Sequence, residues 1–267
     1  MMPHMTGVVD VSAWCGRWPF DLNGETSLEM LADRLAQAGV REALVSPLDA
    51  VLAPDPMPAN RALVAASSVA ERLSIRVHVV PVIDPVLATW RDDLAEMVES
   101  AHCRAVRLLP TWHGWGPEHP DAREVLRSIA QAGCVPILQA RMLDERALPP
   151  SAAQASFDVS AVAAWLESVS DVRVILAGLY QSELAAVVEL EHVAVDLSFV
   201  ESGDTLANAL GVFPPERILP GTHAPVFEPL AGVSKLPVSG PDRERAIWIA
   251  RESARIWFDL PATGASS

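Results

Sequence analysis

Short apolar runs rich in Val, Ile and Leu recur along the chain at 8–14, 42–48, 76–83, 105–110, 135–140, 173–178, 193–198 and 218–222. Each has the length of a buried strand and is too short for a helix. Between them, stretches at 27–38, 60–73, 87–101, 121–132, 159–168 and 182–190 place apolar residues at helical spacing. Strand and helix in repeated alternation predict a parallel sheet with helices outside it. Runs such as Val135-Pro136-Ile137-Leu138 are continuously apolar, as burial on both faces requires. Eight such units predict an α/β fold, a single (β/α)8 barrel. An open doubly wound sheet is the alternative, but the first strand–helix turn lacks the Gly-x-Gly-x-x-Gly that would bind a dinucleotide.

The turns agree with this reading. Gly39 and Gly133 stand where helices give way to strands, supplying the left-handed backbone that a Cβ disfavours. Asp121 and Ser182 are candidate N-caps. Pro54, Pro56 and Pro58 mark a rigid loop, and 263–267 reads as a frayed tail.

Half of the 267 residues are apolar, enough for the core of one domain spanning 1–267. The net charge of −14 argues against nucleic acid or an anionic membrane as a partner, since both need a basic surface. Lys235 is the only lysine and lies outside the strand runs, which disfavours Schiff-base chemistry. Cys15, Cys103 and Cys134 lack the spacing of a zinc ribbon or disulfide framework. No signal-peptide pattern opens the chain and no run reaches about 18 apolar residues, so a cytoplasmic protein is expected.

Several strand ends carry a family likeness. Val8-Val9-Asp10-Val11-Ser12-Ala13-Trp14, followed by Gly16, resembles an Asp-x-His-x-His-x-Gly opening. Val135–140 resembles a strand ending in a ligand histidine, and 218–225 resembles Phe-Gly-Ser/Thr-Asp-x-Pro. In these features, and in a closing 251–257 helix signature, nearly the whole chain resembles the amidohydrolase-related barrels, which include metal-dependent hydrolases and decarboxylases. The resemblance implies a (β/α)8 barrel. It also implies metal-ligand positions at Ser12, Trp14, Gln139 and Gly178, where the family has histidines, and at His223, where it has an aspartate. With those replacements the usual mononuclear site lacks its three ligands, and no metal or other cofactor is expected.

In such barrels the reacting groups project from the C-terminal ends of strands. The richest end is 107–115, which resembles an Arg-Leu-x-Pro-x-aromatic-His-Gly-aromatic run of related proteins. There His113 is a candidate acid or base, and Trp112 and Trp115 are candidate walls of a small cavity; a packed loop is the plain alternative. Arg107 suits a substrate carboxylate, or structural pairing with Asp10 or Asp196. Arg141, after the fifth strand, is a second candidate anion clamp, with Asp144 or Glu145 orienting it. Gln139 is a candidate for orienting substrate, and His223 for general base. Ser12 and Trp14 complete the candidate substrate-binding set, Ser12 also as a remote candidate nucleophile beside His223.

The expected function is hydrolysis or a related acid–base reaction such as decarboxylation, on a small aromatic or carboxylate-bearing substrate, with His113 and His223 as acid and base. The rival expectation is a pseudoenzyme that binds a metabolite or protein. A third keeps a metal on His113, His223 and Asp196. A homodimer through exposed helices is compatible with all three.

Overall fold

A computed structural model describes residues 4–20, 24–68, 73–144 and 156–261. Eight parallel strands follow one another in space as they do in sequence: β1 (Val8–Arg17), β3 (Val40–Pro47), β4 (Arg76–Val79), β5 (Ala105–Leu108), β6 (Val135–Gln139), β7 (Val174–Ala177), β8 (Val193–Asp196) and β9 (Ile218–Leu219). The short β2 (Glu25–Thr26) pairs antiparallel with the end of β1, carrying that strand past the predicted 8–14. Regular pairing divides the strands into sheets ordered β2-β1-β3-β4 and β5-β6-β7-β8-β9. Backbone hydrogen bonds cross both gaps. Arg107 N donates to Pro81 O (2.8 Å) and Ile83 N to Arg107 O (3.1 Å); at the other gap Val11 N donates to Pro220 O (2.9 Å) and His223 N to Ser12 O (2.7 Å).

Helices α1 (Leu28–Gln37), α2 (Met57–Ser68), α3 (Trp90–Ala101), α5 (Ala122–Gln131) and α6 (Val159–Glu167) separate the strands, and the single turn α4 (Pro110–His113) follows β5. In α5 the buried residues Ala122, Val125, Leu126 and Ile129 form one stripe, so packing of an amphipathic face fixes its position. Gly39 ends α1 at φ +96°, and a Cβ there would lie 2.2 Å from Met5 O. The position therefore requires glycine twice over, for its conformation and for its close approach.

Some boundaries differ from the sequence pattern. Pro58 does not extend a loop but sits in the first turn of α2, where its missing N–H costs nothing. The segment predicted as helix 182–190 is a 3₁₀ turn over Gln181–Ala186, and Ser182 lies inside it. Asp121 does stand at the N-cap of α5 but does not cap it; its carboxylate takes Trp90 Nε1 and Arg91 instead. The C-terminal third adds α7 (Thr205–Leu210), α8 (Pro229–Ser234), α9 (Arg243–Trp248) and α10 (Ala254–Phe258), the last two joined by a π turn. The end of helix 60–73 and the tail 263–267 fall outside the described residues, apart from Leu73.

Period two along the strands builds layers within the sheets. Leu44, Val80, Ala105, Ile137 and Ala194 form one apolar layer with Trp257 and Phe258. Two residues further along, Ser46, Arg107, Gln139 and Asp196 form a buried polar layer. Beyond it, Trp14, Leu48, Val82, Leu109 and Met142 form a second apolar cluster. A polar layer thus lies sealed between two apolar ones at the strand ends where a reaction centre is expected. No helix among the described residues is long and apolar enough to cross a membrane.

Candidate functional site

Arg107 is the centre of the polar layer and is fully buried. Its Nε donates to Ser46 Oγ (2.9 Å), Nη1 to Gln139 Oε1, and Nη2 to Val11 O (3.2 Å). The guanidinium lies over the Trp14 ring, 4.5 Å from its centroid, a cation–π contact strengthened by desolvation. Burial lowers its pKa to about 10, opposed by the charges of Asp196 and Asp10, so it remains a cation at neutral pH. The anticipated pairing with Asp10 or Asp196 is indirect: its direct acceptors are a hydroxyl, an amide and a carbonyl.

Each acid has its own partners. Asp10 accepts from Ser12 N (3.0 Å), Thr222 N (3.0 Å) and Thr222 Oγ1 (2.5 Å). Asp196 Oδ1 accepts from Gly178 N (2.8 Å). Burial raises both pKa values, that of Asp10 to about 6. Because the Asp10 value lies above its unfolded one, this group favours folding below about pH 4 and loses that contribution as pH rises through 6. Asp10→Asn is therefore expected to be more stable than the parent at pH 8, by up to about 3 kcal/mol, and to match it at pH 4. Urea titrations at the two pH values check this; an equal difference at both would show that Asp10 does not titrate in that window.

His223 is fully buried at φ +56°. Its Nε2 lies 2.9 Å from Met142 O and Nδ1 accepts from Trp14 Nε1 at 3.3 Å, which places the proton on Nε2. Burial drives its pKa down to about 3, leaving a neutral ring with both nitrogens occupied. Phe199 and Phe227 pack on that ring, with centroids 5.0 and 5.2 Å away. In this arrangement the Nδ1 lone pair of His223, the expected general base, accepts from an indole, and burial opposes proton uptake.

His113 belongs to a different network. Its Nε2 meets Ala50 O at 3.2 Å and its Nδ1 lies 3.8 Å from Asp84 Oδ2; burial lowers its pKa while Asp84 opposes the shift. The structure gives no contact between the two histidines. Trp112 packs edge-on against Trp18 at 5.5 Å and Trp115 against Trp165 at 6.4 Å. Trp115 lines a cavity of about 430 Å³ with Phe157 and Val162.

Gln139 spends its amide nitrogen on Arg141 O (2.8 Å). Arg141, the second expected anion clamp, is held by both oxygens of Glu183 at 2.7 Å and by Gly178 O at 2.6 Å, and stacks on Tyr180. Glu145 lies outside the described residues. Ser12 contacts His223 through its backbone carbonyl, while its hydroxyl is buried without a partner, so no nucleophile–base pair forms. Cys15 is buried and its pKa rises to about 12, through burial and then through Asp49, Glu29 and Glu25, which keeps it a thiol. Lys235 Nζ donates to Leu197 O (2.8 Å) and Ser198 O (2.7 Å) beyond β8, and burial lowers its pKa.

Ser46, Phe199, Phe227 and Tyr180 were not singled out from the sequence. The first lies on β3 and presents its hydroxyl to Arg107 on β5, two strands away. The aromatics line a cavity of about 610 Å³ with Asp144, Gln181, Ser182 and Glu201, and two of them, Phe199 and Phe227, also pack on the His223 ring. Their position in loops just after β7, β8 and β9 is the signal that could have found them.

The positions at which the resemblance implies metal ligands do converge, on β1 and β6 and just after β7 and β9, but their donors do not fit a divalent metal. Trp14 and Gly178 offer no side-chain donor, Gln139 Oε1 is taken by a guanidinium, and the lone pair of His223 is taken by an indole. Among the described residues no group of three or more His, Cys, Asp or Glu could hold a metal, the set His113, His223 and Asp196 included.

No protein-family model matches the sequence, and no curated protein matches it either. Solved structures do share its fold. The 2,6-dihydroxybenzoate decarboxylase from Rhizobium superposes with a TM-score of 0.70 at 14% identity, covering 96% of this chain and 99% of that one. Amidohydrolase 2 from Bifidobacterium longum subsp. infantis gives 0.65 at 16% identity, covering 96% and 100%. A 5-carboxyvanillate decarboxylase from Novosphingobium aromaticivorans, complexed with manganese and 4-hydroxy-3-methoxy-5-nitrobenzoic acid, gives 0.73 at 10% identity, covering 96% of each chain. The chain therefore has the fold of the amidohydrolase-type barrels; at these identities the likeness carries the fold and not the chemistry.

Proposed function

We propose that this chain is a closed (β/α)8 barrel related to the amidohydrolases that binds a small aromatic molecule at its mouth without metal-dependent turnover. One observation carries the reading: the polar groups at the centre are buried and bonded to one another, whereas a cavity that shares Phe199 and Phe227 with the His223 ring is walled by Tyr180, Phe199 and Phe227. Arg107, Gln139 and His223 each spend their reactive atoms inside the protein. The cavity offers aromatic faces and polar rims, the usual composition of a small-molecule site.

A second reading, an acid–base enzyme of the decarboxylase type, is favoured by the His113–Asp84 pair and by the activities of the proteins that share the fold. His113 would then move the proton, with Asp84 supporting its charged form.

Incubating the protein with 2,6-dihydroxybenzoate and 5-carboxyvanillate, with and without added manganese, decides between them. The expected result is no carbon dioxide release, while a panel of small aromatic acids, amines and phenols contains a binder that stabilises the protein by about 2.7 kcal/mol at a hundredfold excess over its Kd. That stabilisation is expected to fall in Phe199→Ala. Turnover that disappears in His113→Ala would replace the first reading with the second.

A further inference from the structure

We propose that the guanidinium of Arg107 is the resident cation of this barrel, standing at the point where the expected metal-ligand positions meet. The inference deepens the reading above by naming what the centre holds in place of a divalent ion.

Two of the departures from the expected ligand set, Gln139 and Trp14, touch this group, and Gly178 and His223 adjoin those two. Gln139, in place of a ligand histidine, presents an amide oxygen to Arg107 Nη1. Trp14, in place of another, puts its ring face 4.5 Å from the guanidinium carbon. Ser12 follows the residue whose carbonyl receives Nη2. At Gly178 a Cβ would lie 2.9 Å from Gln139 Nε2 and 3.0 Å from Arg141 O, so a side chain there would push Gln139 off the guanidinium. His223 accepts from the indole nitrogen of Trp14 and thereby fixes the ring against the cation.

The electrostatics follow the same pattern. Two fully buried acids, Asp10 and Asp196, stand near the guanidinium without touching it. Buried acids call for a nearby positive charge, and a planar, permanently charged guanidinium supplies one from within the chain. A divalent ion placed beside it would meet a like charge in a low-dielectric interior, where repulsion is strongest. A cation supplied by the chain also needs no uptake from solution, so the centre is complete as soon as the protein folds.

The test uses the full chain. Wild-type protein equilibrated with manganese or zinc and then dialysed is expected to retain well under one metal per chain and to show no change in Tm. Arg107→Ala is expected to melt lower, and millimolar methylguanidinium, far below denaturing concentrations, is expected to recover part of that loss while leaving wild type unmoved. Arg107→Lys, which keeps a charge but cannot bond Ser46 and Gln139 together, is expected to melt between the two and serves if the alanine variant does not fold. One tightly held metal per wild-type chain, lost in Gln139→Ala or His223→Ala, would overturn the proposal. So would a folded Arg107→Ala variant indifferent to methylguanidinium, or Arg107→Lys as stable as wild type. Turnover in the decarboxylation assay would overturn the binding reading while leaving this assignment intact, so the two can fail separately.

Discussion

Replacing Arg255 with alanine is expected to lower the unfolding free energy at pH 7 by about 3 kcal/mol, because it leaves a buried carboxylate with only His78 and, at 3.8 Å, Arg76. Glu42 is 2% exposed and Arg255 7%. Arg255 Nη2 bonds Glu42 Oε1, while His78 Nε2 lies 3.2 Å from Glu42 Oε2. Burial pushes the Glu42 pKa upward, but the bonds from His78 and Arg255 and their charges outweigh it and hold the value below the usual range. A depressed value means stability that is present above the unfolded pKa and is lost as pH falls through the folded one. The gap between Arg255→Ala and wild type should therefore narrow in acid, where Glu42 becomes neutral in both. Urea denaturation at pH 7 and near pH 3 measures it; a constant gap would mean that lost packing, not stranded charge, causes the effect. The double substitution Glu42→Leu with Arg255→Met is expected to be far milder than either single loss, since apolar replacement of a whole buried pair is often nearly neutral.

Trp14→Ala is expected to cost about 3–5 kcal/mol, the range for removing a large buried aromatic. Trp14 has no exposed surface and joins three parts of the site: it stacks on Arg107, donates to His223 and anchors the apolar cluster with Leu48, Leu109 and Met142. Trp14→Phe separates packing from polarity. It keeps most of the apolar contact and leaves His223 Nδ1 buried without a donor, at a cost of about 1–3 kcal/mol. Denaturation midpoints of the two variants, with the ¹⁵N shifts of the His223 ring, check the assignment. If Trp14→Phe were as stable as wild type with unchanged ring shifts, the indole–imidazole bond would carry no weight.

Much of the architecture is legible in the chain because its determinants are local. The runs at 105–110 and 135–140 become β5 and β6 since they are continuously apolar, and Gly39 and Gly133 mark helix ends by a backbone conformation few other residues adopt. The shorter elements are less legible: β9 has two paired residues, and the turn at Gln181–Ala186 has too few bonds for helical periodicity to show. The site is legible as a set of strand ends and illegible as a set of bonds. Sequence position places Arg107, Gln139, Trp14 and His223 near one another. It cannot show that Ser46, more than sixty residues before Arg107 in the chain, supplies an acceptor to its guanidinium, or that His223 spends both nitrogens. His113 has the same residue type and strand-end position as His223 but faces Ala50 and Asp84, a difference set by loop conformation.

The solitary lysine gives this protein an internal reporter. With Lys235 Nζ fastened to the Leu197 and Ser198 carbonyls, an amine-directed acylating reagent has one side chain to modify, and it must first break those two bonds. Peptide mapping of acetylation at Lys235 therefore reads, as a rate, how often the segment after β8 lets go. Because Phe199 follows that segment directly and lines the mouth, a ligand that braces this wall would register as slower acylation without any label having been introduced.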